Sequence, residues 1–248
     1  LAVMAKLEEI RGVDALHKGA SFTTIAGAGS NGAIVHYRSS SETERKVEKG
    51  SFLLIDSGAQ YLDGTTDITR TIAVGRVPKR LREHYTLVLK GHIAVATARF
   101  PKGTGGIALD GFARRALWQA GLDFDHGTGH GVGVYLGVHE GPARLSPLSQ
   151  VPLEPGMILS NEPGYYETGS HGIRLENLVV VSESAQPGFL AFETITFCPF
   201  DRRAIEVKML TAEERNWLDA YHARTRSLLQ GQLKGADRAW LLRMTAPL

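Results

Sequence analysis

The chain has 248 residues, 43% of them hydrophobic and 22% charged, an ordinary globular composition that fits one large domain or two small ones and excludes a disordered chain. Lys and Arg total 28 against 26 Asp and Glu, so the near-balanced charge gives no electrostatic footprint for nucleic-acid binding. The single cysteine, Cys198, excludes an internal disulfide and suits a reducing, cytoplasmic compartment, and no stretch approaches the roughly 20 apolar residues of a membrane span.

Residues 1–17 read as a helix already under way, with no initiator Met and no apolar signal-peptide core, so sequence upstream is expected. Positions 21–32, rich in Gly, Ser and Asn, read as loop, and 33–37 as a short strand containing His36. An apolar strand over 51–55 runs into Asp56, and beyond the Asp63-Gly64 turn signal a second strand covers 67–74, a hairpin or meander pattern. Leu81, Tyr85, Val88, Leu89, His92 and Ala96 fall at helical spacing, which predicts a helix over 78–98. A second helix over 108–120 is closed by Gly121. Strands follow over 157–161, 172–182 and 189–197, and a last helix over 211–229 opens with Thr211 as N-cap and Glu214 three residues on. Strands inside long helices make an α+β layout.

Four acids sit where a lone carboxylate is costly. Asp56 ends the run Phe52-Leu53-Leu54-Ile55, and Asp67 lies across the turn from it. Glu162 follows Met157-Ile158-Leu159, and Glu176 lies inside the strand at 172–182. Buried together as anions they need cations, which two divalent metals would supply. An oxygen-rich site with one imidazole suits Mn²⁺, with Zn²⁺, Co²⁺ or Fe²⁺ as alternatives. The competing reading gives each acid its own basic partner, and Arg70 and Arg174 lie within reach by spacing.

The segment His126-Gly127-Thr128-Gly129-His130-Gly131-Val132-Gly133 sets two histidines in backbone with little side-chain cover, and His139 follows in Val138-His139-Glu140-Gly141-Pro142. No phosphate loop and no H-E-x-x-H helix is present, and Gly27-Ala28-Gly29 lacks the third glycine of a dinucleotide fingerprint. Cys198 has no evident histidine partner and reads as structural.

In this order Asp56, Asp67, His130, Glu162 and Glu176 resemble the five metal ligands of the pita-bread metallopeptidases, which include methionine aminopeptidase, prolidase and aminopeptidase P. The strings Leu54 to Gly58, Thr66 to Thr71, His126 to Pro142, Asn161 to Tyr166 and Gly172 to Asn177 look most like aminopeptidase P, the Xaa-Pro aminopeptidases. The resemblance implies a curved antiparallel sheet with outer helices in two pseudo-symmetric halves. It divides the chain into a catalytic domain over 1–195 and an extension over 196–248 that packs on it. That extension looks like the one in long, cytosolic-type members, which carry two further domains upstream of the catalytic one. Relatives are often dimers, so a homodimer is one implied assembly.

By the same resemblance, the five residues hold two metal ions, with Asp67 and Glu176 bridging them. A metal-bridging hydroxide attacks the first peptide bond of substrates with proline at the second position. The resemblance would make Glu162 the proton shuttle and His139 the residue that stabilises the tetrahedral intermediate. His36, His126, His130 and His139 line the substrate site, His126 at the proline pocket, and Arg174 buffers the acids. The same fold also serves prolidase and methionine aminopeptidase, which a panel of Xaa-Pro-Yaa, Xaa-Pro and Met-Ala peptides would separate, and catalytically weak protein-binding modules, which usually lack the metal ligands that are all present here.

Overall fold

The computed structural model describes residues 1–248. Two antiparallel sheets carry the site. The first has three strands, Ile25–Ala28, Ser51–Ser57 and Ile68–Val74, with Ser51–Ser57 in the centre. The second has six, in the order Arg99–Pro101, Phe189–Thr194, Asn177–Glu183, Ile158–Asn161, Gly129–Gly131 and Glu140–Leu145. Smaller pairings flank them: His17–Ala20 and Gly64–Thr65 on either side of Ala59–Tyr61, and the hairpin Gly164–Glu167 with His171–Arg174.

The helices Lys79–Ala96 and Gly106–Gln119 pack against each other and cover the sheets. Lys79–Ala96 buries Tyr85, Val88, Leu89, His92 and Ala96, the face its periodicity predicts. Gly106–Gln119 buries Leu109, Ala113 and Leu117, one residue per turn. One core of 30 buried residues joins these helices to strand residues such as Phe52, Leu159 and Val179, and to Phe200, Leu218 and Tyr221 from the closing segment. The helix Ala212–Leu229 begins with the expected capping box between Thr211 and Glu214. No helix is long and apolar enough to cross a membrane.

The structure corrects several sequence expectations. The first helix ends at Arg11, because Gly12 and the Asp14 side chain, which accepts from the Leu16 amide at 2.8 Å, turn the chain into the strand His17–Ala20. The expected loop over 21–32 contains the strand Ile25–Ala28, whose small residues carry little β signal but which pairs with Ser51–Ser57. The expected strand over 33–37 is irregular: Ala33 closes a 3₁₀ turn, Ile34 and His36 are exposed, and no neighbouring strand offers a ladder. The expected strand over 172–182 is two strands, broken at Leu175 and Glu176, where the Glu176 amide leaves the ladder to donate to the Thr69 carbonyl at 3.1 Å. The strands Gly129–Gly131 and Glu140–Leu145 and the helix Gly235–Met244 were not anticipated.

Candidate metal centre

Alternation along Ser51–Ser57 decides where Asp56 points. Phe52, Leu54 and Asp56 share one face, and all three are buried. Asp56 pairs with Thr69 on the neighbouring strand, which brings Asp67, just before that strand, back beside it. The second sheet repeats the device. Asn161 pairs with Asn177, so Glu162, just past one strand, and Glu176, just before the other, meet at the same end. The Glu176–Thr69 backbone bond ties the two pairs together.

His130 enters from Gly129–Gly131, packed between Ile158–Asn161 and Glu140–Leu145. Side chains at Gly129 and Gly131 would run into the carbonyls of Ser160 and Glu140, so the close approach requires glycine. A buried ion pair fixes the segment upstream. Arg114 Nε donates to Asp110 Oδ2 at 2.6 Å, Arg114 Nη2 donates to the His126 carbonyl at 2.7 Å, and Asp110 Oδ1 accepts from Thr128 Oγ1 at 2.7 Å. The i, i+4 spacing of Asp110 and Arg114 was the only sequence sign of this anchor.

Asp56, Asp67, His130, Glu162 and Glu176, together with His36, His126, His139 and Arg174, all line one cleft of about 720 Å³. Ligand atoms of Asp67, His130 and Glu176 lie within 4.8 Å of one another. His130 Nε2 is 3.4 Å from Asp67 Oδ2 and 3.2 Å from Glu162 Oε1, while its Nδ1 donates to the Gly131 carbonyl at 3.0 Å. With the proton on Nδ1, a neutral ring aims a lone pair at two carboxylates, which is repulsive unless a proton or a metal lies between them. Burial works against charge on His130, yet Asp67 and Glu162 outweigh it and push the imidazole up to about 11. Burial likewise opposes charge on Glu162, but the bond to His130 pulls it down to about 2.

The other acids are less well served. Glu176 accepts one hydroxyl bond, from Thr69 Oγ1 at 2.7 Å, and its Oε1 is buried without a partner, as is Asp56 Oδ1. Burial, reinforced by the neighbouring acids, pushes Glu176 well above the carboxylate range and Asp67 up to about 7. Buried oxygens of Asp56 and Glu176 without donors, beside an imidazole that needs a proton or a metal between it and Asp67 and Glu162, fit a site that holds divalent cations.

Of the two arginines within reach by spacing, only Arg174 meets an acid in the cleft. Its Nη2 donates to Asp56 Oδ2 at 2.6 Å, its Nε lies 3.8 Å from Glu162 Oε2, and its Nη1 donates to the Tyr166 hydroxyl at 2.7 Å. Arg70 instead donates to the carbonyls of Glu176, Cys198 and Pro199, to Asn177 Oδ1 and to the Tyr221 hydroxyl, and so clamps the closing segment to the sheet. One guanidinium cannot balance four carboxylates.

Tyr166 extends the Arg174 chain to His126. The tyrosine hydroxyl donates to His126 Nε2 at 2.8 Å, and His126 Nδ1 donates to the Gly127 carbonyl at 2.8 Å. Both ring nitrogens are therefore occupied and burial holds the pKa down, so His126 is a neutral wall rather than a free donor. His139 packs edge-on against His130 with ring centroids 4.2 Å apart, and burial and His130 keep it neutral too. His36 lies exposed on the rim. Sequence reasoning had not singled out Thr69, Tyr166 or Ser160, whose hydroxyl donates to Glu162 at 3.0 Å. Nor had it found Phe22, Ile25 and Val35 on the cleft wall.

The profile of metallopeptidase family M24 matches residues 1–183, and that of its C-terminal region matches residues 188–248. The chain belongs to metallopeptidase family M24. It is 50% identical over 252 residues to a probable Xaa-Pro aminopeptidase P of Fusarium vanettenii, covering 97% of this chain and 41% of the relative. It is 47% identical to aminopeptidase P1 of Lotus japonicus, covering 100% and 39%. Among solved structures, the X-prolyl aminopeptidase of Caenorhabditis elegans, described as a cytosolic enzyme with a di-nuclear active site, superimposes with a TM-score of 0.95 at 38% identity, covering 100% of this chain and 42% of that one. Prolidase from Pyrococcus furiosus gives 0.69 at 32% identity, covering 78% and 54%. The chain thus has the pita-bread M24 fold, and it spans about two fifths of the length of the curated relatives it matches.

Proposed function

We propose that this M24 chain carries the catalytic centre of an Xaa-Pro aminopeptidase, which releases the N-terminal residue from peptides with proline second. The observation that carries the reading is His130 Nε2 held 3.2–3.4 Å from two carboxylates beside buried, donorless oxygens of Asp56 and Glu176. Asp56, Asp67, His130, Glu162 and Glu176 would hold two divalent ions, with Mn²⁺ the natural choice for so many oxygens. Bound there, such ions would acidify a water and polarise the scissile carbonyl.

The chain's own groups supply the rest. Glu162 is a carboxylate at neutral pH, and it takes up the proton that the attacking water loses and passes it to the departing proline nitrogen. His139, neutral and facing the cleft, donates a ring N–H to the carbonyl oxygen as negative charge develops there. The acidic cluster attracts the free α-amine, which restricts attack to the first bond. His126, held off from substrate hydrogen bonding by Tyr166 and Gly127, forms with His36 and Val35 a wall that asks no N–H of the second residue, as proline requires. The free Cys198 and the cytosolic relative support a cytosolic setting.

The test is a peptide panel assayed after Mn²⁺ addition. Xaa-Pro-Yaa peptides should be cleaved after the first residue, with Xaa-Pro dipeptides and Met-Ala peptides much poorer. Preference for dipeptides would point to prolidase chemistry and overturn the proposal.

A further inference from the structure

A second cluster of ligand-type side chains lies away from the cleft. His84, on the first turns of the helix Lys79–Ala96, faces the hairpin Gly164–Glu167/His171–Arg174, where Glu167 and His171 stand opposite each other. His84 Nδ1 lies 3.1 Å from His171 Nε2, and ligand atoms of His84, Glu167 and His171 all fall within 4.8 Å of one another. Both imidazoles are buried, His84 at 8% and His171 at 1% exposure.

The hydrogen bonds of the cluster do not close on protons alone. His171 Nδ1 is engaged by the Ser170 hydroxyl at 2.8 Å, so its Nε2 faces the His84 ring. A proton on one of the two facing nitrogens satisfies that contact, but it does nothing for the carboxylate of the cluster. Glu167 Oε1 accepts from Arg80 at 2.6 Å, but Oε2 is buried without a donor, 3.5 Å from His171 Nδ1. A cation would satisfy all three at once. Tetrahedral zinc with Zn–N of about 2.0–2.1 Å sets its ligand atoms roughly 3.3 Å apart, close to the spacing of the two ring nitrogens. Ser170 on the far nitrogen of His171 is the kind of outer partner that fixes a ligating tautomer. Arg80 is largely exposed and takes only one carboxylate oxygen.

We propose that His84, His171 and Glu167 form a separate zinc-type site, outside the catalytic cleft, with one position left for water. Its ligands come from a helix and a hairpin, so a bound ion staples the two. Glu162 and Glu176 immediately flank that hairpin in the chain, which makes the staple a support for the acidic cluster.

The experiment counts Zn²⁺ per chain after dialysis of the intact protein to saturation, for the native sequence and for His84→Asn and Glu167→Gln. The native chain should hold one Zn²⁺ more than either variant, and Zn²⁺ should raise its melting midpoint more than theirs. Equal counts in folded variants would overturn the proposal. Should the variants not fold, anomalous diffraction at the zinc edge from native crystals decides: a peak between His84 Nδ1, His171 Nε2 and Glu167 Oε2 supports the site, and no peak there refutes it.

Discussion

Arg174 is the only arginine or lysine that pairs with the cleft's acidic cluster, and it is almost wholly buried. In the metal-free chain, Arg174→Met leaves Asp56 without its partner, and loss of about 3–5 kcal/mol is expected in denaturant titration. His139 is different, because its ring meets His130 but no carboxylate within hydrogen-bonding distance. His139→Ala should lower kcat by about 10²–10³-fold while metal content stays at the native level. Loss of metal in that variant would make His139 a ligand instead. The four acids stand out as carboxylates in apolar strand contexts, and His126 and His130 as histidines beside glycines, whereas the joint ligand set and the roles of His36 and His139 come only from the resemblance to the pita-bread metallopeptidases. Tyr166 and Thr69 do not stand out, since a hydroxyl in a strand carries no mark of the partner it will meet. Arg70 shows the same limit in reverse: sequence spacing put it near an acid, but the fold sends its guanidinium to carbonyls of the closing segment.

At the scale of elements, each sheet brings two acids together at the end of one antiparallel pair, by the registers Asp56 with Thr69 and Asn161 with Asn177. Glycine is what admits the histidine strand between them. Gly129→Ala should push the strand off Ser160 and destabilise the fold by about 1–3 kcal/mol, measured by thermal or urea unfolding. The two long central helices and the capped helix were legible from their 3.6-residue periodicity and from Thr211 with Glu214. The strand Ile25–Ala28 was not, because Ile-Ala-Gly-Ala becomes a strand only through its partner Ser51–Ser57. The break at Glu176 was hidden for the same reason, being set by a backbone bond to Thr69 on the other sheet.

Over the whole molecule, the residues beyond 195 share one core with those before it. Phe200, Ala204, Ile205, Leu210, Leu218 and Tyr221 belong to the same buried cluster as Tyr85 and Val179. A chain ending at 195 should therefore lose cooperative unfolding and bind hydrophobic dye, whereas a sharp native-like transition would show that the extension is dispensable. Acid sensitivity also has a global source. Burial, with Arg70 adding to it, holds His92 at about 3 and His222 at about 4. Their unfolded forms bind protons that the folded forms refuse, so the stability these two histidines contribute is full above pH 6.5 and is lost as pH falls toward their folded values. The melting midpoint of the metal-loaded protein should drop across that window, and His222→Asn should flatten the slope.

The central claim is that the carboxylates and His130 hold two cations side by side. Electron paramagnetic resonance of the protein loaded with Mn²⁺, with bound ions counted in the same sample, tests it most directly. Two Mn²⁺ per chain with an exchange-coupled spectrum, abolished by Glu176→Gln, is the expected result. A spectrum of isolated Mn²⁺ only, or no bound Mn²⁺, would contradict it.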